Sequence, residues 1–211
     1  TATRQTVGLI SKVPFFTPDG SPGITQSYDR ASFPADDSTC QYNVQSKKKT
    51  SGVSKHWYGI MNVKEPIGEI LVIGAHLKAR PNQPKSCSKR EAQSKVLAKI
   101  VQQHGNNRHV ILMGDLNDFD NDVKDVSSSK PRSNVLKTLK KSLSLQTVWK
   151  YVPKKERWSY SDDTNKYPNS TLDYILISKN LTSYIESVWV DRNHTHSDHR
   201  PLSVRFRFFN E

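Results

Sequence analysis

Four short apolar runs in this sequence are each bound to a tight cluster of polar groups able to do chemistry. They are Gly74-Ala75-His76-Leu77-Lys78-Ala79-Arg80, Gly114-Asp115-Leu116-Asn117-Asp118, Leu172-Asp173-Tyr174-Ile175-Leu176 and Ser197-Asp198-His199-Arg200-Pro201. That recurrence constrains the chain to a layered fold in which strand ends share one rim, because there scattered residues converge on a single pocket. Taken singly, each cluster has a plainer explanation. Gly-Asp-x-Asn is a common turn, since Asp and Asn side chains bond their own backbone. Asp173 reads equally as a buried structural carboxylate, and His76 as a satisfied core histidine. Their order, spacing and shared strand context point instead to one site. Phosphodiester hydrolysis needs a positioned water, a metal ion on the phosphate oxygens and donors for the developing negative charge, and Asp, Asn and His supply those three things.

The runs between these clusters predict a mixed α/β chain. Val7 to Ile10 reads as a first strand. His56 to Val63 and Glu69 to His76 read as two more, joined as a hairpin by Lys64-Glu65-Pro66-Ile67-Gly68. From Ser88 to His104 the period changes: Ala92, Val96, Leu97, Ile100 and Val101 make one helical stripe, stopped by Gly105. His109 to Met113 is a buried strand, and Ser133 to Lys141 a short helix. Trp158 to Ser161, Leu172 to Ser178, Ser187 to Asp191 and Leu202 to Phe208 complete the strands. Residues 16–54, rich in Pro, Gly, Ser, Asp and Lys, are too long for an ordinary connection and read as an inserted loop. Lys47-Lys48-Lys49 within it reads as a solvated tip more readily than as a phosphate contact.

At 211 residues the length suits a single domain, 1–211. The net charge of +12 favours a polyanionic partner, nucleic acid or an anionic lipid surface, against the plain alternative of a solvated basic face. No run approaches the roughly 18 apolar residues that span a bilayer, and Thr1 opens no signal peptide. Cys40 and Cys87 both fall in polar loops, which favours one disulfide in a secreted protein over two free thiols. Sequons begin at Asn169, Asn180 and Asn193. Roughly two would arise by chance in a chain this rich in Ser and Thr, so they lean only slightly toward a secreted glycoprotein.

From about Gly8 to the C-terminus, apart from the 16–54 loop, the sequence resembles the deoxyribonuclease I-like endonuclease/exonuclease/phosphatase superfamily. The His76-Leu77-Lys78-Ala79-Arg80 segment, with Arg90 and Gln93 following, is similar to deadenylase-like and extracellular nuclease-like branches. Trp158-Ser159-Tyr160 ahead of Leu172-Asp173-Tyr174 carries the same likeness. The resemblance implies a two-sheet β-sandwich flanked by helices. It implies Asp115 as the base for the attacking water and Asn117 as a transition-state amide. Asp198, with Asn117, would hold the metal, His199 and His76 would face the phosphate, and Asp173 would pair with His199. Lys78 and Arg80 become candidate phosphate donors, and Mg²⁺ (or Mn²⁺ or Ca²⁺) the implied ion. The departure is at the start: the superfamily's first strand and its metal-binding Glu have no counterpart here, and no Glu precedes Glu65. The expectation is therefore a partial domain lacking the N-terminal third of the fold, completed by a companion segment of the same precursor. The implied function is a secreted, metal-dependent nuclease cleaving DNA or RNA. The alternatives are a lipid or inositol phosphate phosphodiesterase or phosphatase, and a catalytically degenerate basic binding protein.

Overall fold

Two apolar strands, Gly68–His76 and His109–Asp115, run parallel through the centre of the molecule, joined by a 21-residue helix that crosses one face of the sheet. The computed structural model describes residues 7–42, 49–52, 56–80, 82–162, 164, 166–193 and 196–208. In chain order its elements are β1 (Phe15–Phe16), β2 (Thr25–Gln26), β3 (Arg30–Phe33), β4 (Lys49–Gly52), β5 (Trp57–Val63) and β6 (Gly68–His76). These are followed by α1 (Pro84–His104), β7 (His109–Asp115), α2 (Val135–Ser142), β8 (Leu145–Thr147), β9 (Asp173–Ser178), β10 (Ile185–Val190) and β11 (Leu202–Phe206). The main sheet has the order β1-β5-β6-β7-β9-β8, with β2 also pairing β5.

Side-chain alternation explains the layers. Leu71, Ile73 and Ala75 of β6, Leu112 of β7 and Tyr174 and Leu176 of β9 point to one face and bury against Val96, Leu97 and Ile100 of α1 and Leu136 and Leu139 of α2. Ile175 and Ile177 of β9 point the other way, against Val188, Val204 and Phe206 of the antiparallel β10–β11 ribbon. The architecture is α/β, a seven-stranded sheet with helices on one face and a two-stranded second sheet on the other.

Residues 16–54 are more structured than their composition suggests. They contain β2, and β3–β4 form an antiparallel ribbon laid on α1. Cys40 and Cys87 form a disulfide that ties this segment to the first turn of α1. Lys47 and Lys48 lie outside the described residues. Val7 to Ile10 is no strand: Val7 and Leu9 lie over Gly74, filling the space its missing side chain leaves on β6, so they cross the sheet instead of pairing with it. Trp158 to Ser161 is no strand either, because its backbone bonds go to separate neighbours, Tyr160 bridging both Ser170 and His199. Helix α1 starts earlier than the apolar stripe, at Pro84, whose missing N–H costs nothing at a first helical position. Strand β8 escaped sequence reading, being three residues long.

Candidate active site

Strand register sets three of the expected residues side by side. His76 on β6 pairs with Asp115 on β7, and Asp115 with Asp173 on β9. Gly114 makes this possible. Its φ of 134° lies where side chains are strained, and a Cβ there would sit 1.9 Å from the Ala75 carbonyl oxygen. Asp115 accepts two hydrogen bonds from Asn117, from the backbone N–H at 2.9 Å and from Nδ2 at 2.9 Å. Asn117 also donates from Nδ2 to the Leu77 carbonyl at 3.1 Å, so its amide hydrogens are occupied in fixing Asp115 to the end of β6. Helix α1 holds that same end: Lys78 N–H donates to Gln93 Oε1 at 2.7 Å, and Arg90 Nη1 donates to the Lys78 carbonyl at 3.0 Å. Arg90 is fully buried, and this burial lowers its pKa against the opposing pull of the Asp118 and Glu91 charges.

His199 reaches this row from the loop before β11. Its Nδ1 lies 2.7 Å from Asp173 Oδ2. Ser159 Oγ accepts from the N–H groups of both Leu172 and Asp173, and Arg200 N–H donates to the Ser159 carbonyl, so the Asp173 strand and the His199 loop are fastened to one residue. The hydrogen bond to Asp173 raises the His199 pKa to about 9, with Asp115 and Asp198 adding to it. The imidazole is therefore protonated at neutral pH. The Asp115 pKa is also raised, from that of an ordinary carboxylate up to about 7, first by burial and then by the Asp173 charge. His76 Nε2 sits 3.5 Å from Asp115 Oδ2, and burial lowers its pKa.

A cavity of about 880 Å³ opens over the row, lined by His76, Asp115, Asn117, Asp173, Asp198 and His199. Arg80 joins this lining; Lys78 does not, and is held by its backbone at the rim. The lining also contains residues with no motif to mark them: Phe119, Lys130, Arg132, Tyr160 and Tyr167. Of the sequons, Asn180 is exposed, Asn169 is half-buried between the lining residues Pro168 and Ser170, and the one at Asn193 continues outside the described residues.

The donor set suits a hard divalent cation. Asp115 and Asp173 place carboxylate oxygens within 4.8 Å of each other, and such oxygens are what these cations take, while His199 is committed to Asp173. After burial, the Asp173 charge is the second cause of the elevated Asp115 pKa, and a cation would offset that charge.

A family model for Exo_endo_phos_2, described as endonuclease-reverse transcriptase, matches residues 79–203, more than half of the chain. The chain belongs to this family. Solved structures of the deoxyribonuclease I-like endonuclease/exonuclease/phosphatase superfamily agree on the fold. The endonuclease domain of TRAS1, a telomere-specific non-LTR retrotransposon, aligns with TM-score 0.56 and 16% identity over 74% of this chain and 65% of that one. The 3′ phosphatase NExo from Neisseria, solved bound to a product DNA hairpin, gives 0.54 and 16% over 73% and 65%. The Xenopus laevis APE2 catalytic domain gives 0.51 and 16% over 72% and 55%. This family member thus spans just under two thirds of the length of the first structures it matches. A comparison with curated protein sequences finds no match.

Proposed function

We propose that this chain is the catalytic part of a secreted, divalent-metal-dependent phosphodiesterase that hydrolyses nucleic acid. The observation that carries the reading is the charge-separated pair of sites in one pocket: a protonated His199 locked to Asp173, facing a carboxylate, Asp115, whose pKa is about 7. Asp115 takes the proton of the attacking water, a task that favours a pKa near the working pH. His199 donates from Nε2 to the phosphate oxygens, where charge accumulates in the transition state. His76 gives a neutral donor on the other side, and Asn117 keeps Asp115 aimed. Asp198, Asp115 and Asp173 are the groups that would hold Mg²⁺, which supplies charge neutralisation at the phosphate. None of the five described glutamates (Glu65, Glu69, Glu91, Glu156, Glu186) lines the pocket, so the proposal includes a further carboxylate from a companion segment of the same precursor. The net charge of +12 and the DNA hairpin held by the Neisseria structure support a nucleic acid over other phosphate esters. The disulfide supports an oxidising compartment.

The test is hydrolysis of bis(p-nitrophenyl) phosphate with Mg²⁺ and after chelation. Activity is expected to need the ion and to fall about 10²–10⁴-fold in Asp115→Asn, as for loss of a general base. An Asp115→Asn chain with normal turnover would remove the base from this scheme.

A further inference from the structure

The cavity is far larger than one phosphate group fills; about 300–1,000 Å³ is the size that takes a whole organic ligand. The catalytic residues are only part of its lining. The rest of the lining includes Arg80, Lys130 and Arg132 with Phe119 and Tyr167. Several cations on this scaffold are paired: Lys95 with Asp37, Lys99 with Asp29, Arg108 with Glu69 and Lys140 with Asp120 and Asp122. The side chains of Arg80, Lys130 and Arg132 make no ion pair or hydrogen bond to another described residue. The loop bearing Lys130 and Arg132 is nonetheless firmly placed. Asp118 accepts from Arg132 N–H at 2.7 Å and from the Ser133 hydroxyl, and Asp125 accepts from Ser129 N–H at 2.8 Å. Arg80 is held at a φ of 71°, a left-handed conformation that an arginine adopts at a cost. Tyr167 is 51% exposed, and Tyr160 stands edge-on to His199 with ring centroids 5.4 Å apart.

Building on the reading of this pocket as a phosphodiesterase site, we propose that the Arg80–Lys130–Arg132 wall with Tyr167 binds the nucleotide next to the scissile phosphate, and that the substrate is a single-stranded polynucleotide. The cations meet the neighbouring phosphates, which a lone phosphomonoester or a lipid headgroup lacks. Tyr167 and Phe119 line the pocket, and a base can stack on such a ring only when it is out of a duplex stack. An inositol phosphate, being non-planar and without π-faces, gains nothing from Tyr167.

The experiment is fluorescence anisotropy of the full chain with a labelled single-stranded oligonucleotide and its duplex, in chelator to prevent turnover, across a salt series. For single strands the log–log salt slope changes by about 0.7 per phosphate contact, so Lys130→Ser/Arg132→Ser should make it shallower by about 1.4. Tyr167→Ala should weaken single-strand binding roughly 5- to 150-fold, the range for loss of one base–aromatic stack, and leave duplex binding unmoved. Lys64→Ser/Lys179→Ser removes two exposed charges at the opposite rim of the sheet and should leave the slope as it was. Circular dichroism melts establish that each variant is folded. A slope unchanged in the Lys130/Arg132 pair, or duplex bound as tightly as single strand, overturns the inference. Bis(p-nitrophenyl) phosphate has one phosphate and no base, so its hydrolysis separates the two readings. A chain that cleaves the bis-ester but shows no wall-dependent binding loses this inference alone. One that binds through the wall but cleaves nothing, even at Mg²⁺ high enough to saturate a site short of its companion carboxylate, loses the phosphodiesterase reading.

Discussion

His199 and Asp173 are separated by 26 residues yet share a 2.7 Å contact, and the charge state of that pair governs the chemistry proposed for the pocket. The His199 pKa, about 9, is above the value near 6.5 of an unfolded histidine. A raised histidine pKa stabilises the folded state fully below pH about 6.5, and that contribution disappears as pH climbs to about 9. Two results follow for Asp173→Asn. In the metal-free chain, NMR titration of His199 should move from a midpoint near 9 toward the ordinary value near 6.5. The melting-temperature gap between the two proteins should be widest on the acidic side of this window and close above it. The alkaline limb of the pH–rate profile should shift down with the titration. A His199 midpoint that stays near 9 in the variant would show that Asp173 is not its cause. At this scale the sequence was informative, although only His76 and Asp115 end strands as expected, while Asp173 opens one and Asp198 and His199 precede one. What it could not show was the use of Asn117: its amide is spent on Leu77 and Asp115, a contact across 40 residues that no local pattern encodes.

Between elements, the decisive contact is the one β6 makes with β7. Their parallel register puts Ala75 against Gly114, and the absence of a side chain at Gly114 lets the strands close while Asp115 turns toward the rim. Gly114→Ala would need the Ala75 carbonyl to move, and at φ 134° the backbone itself resists a side chain. A loss of about 3 kcal/mol or more is expected, a melting shift on the order of 10 °C for a domain of this size. A Gly114→Ala protein that melts normally would mean this junction is looser than its geometry. The long strands and both helices were legible in the sequence because their apolar period runs for several turns or pleats. Strand β8 and the Tyr160 bridges were not, since two or three residues cannot establish a period. Lys130 and Arg132 were also missed; they sit on a non-periodic loop, and only the fold carries them to the pocket wall.

For the whole molecule, the Cys40–Cys87 bond joins residues 47 apart and fastens the β3–β4 ribbon to α1, the helix that grips the end of β6 through Gln93 and Arg90. Closing a loop of that length restricts the unfolded chain by about 4 kcal/mol in the chain-entropy account. The double variant Cys40→Ser/Cys87→Ser should lose most of this in urea titration, while mass spectrometry of the unreduced parent should find no free thiol. Two free thiols in the native protein would sever the ribbon from α1 and with it the argument for an oxidising compartment. The row of His76, Asp115 and Asp173 has a further consequence. These three stand on adjacent strands in the middle of the sheet, so their spacing can change only if the sheet itself opens, an event costing close to the full free energy of unfolding. His199 arrives on an exposed loop tied down by a few backbone bonds to Ser159 and Ser161. Amides of that loop can exchange with solvent through small, frequent openings while those of β6 and β7 stay protected. Hydrogen exchange is therefore expected to divide the row in time, residues 197–200 exchanging early and β6 and β7 late.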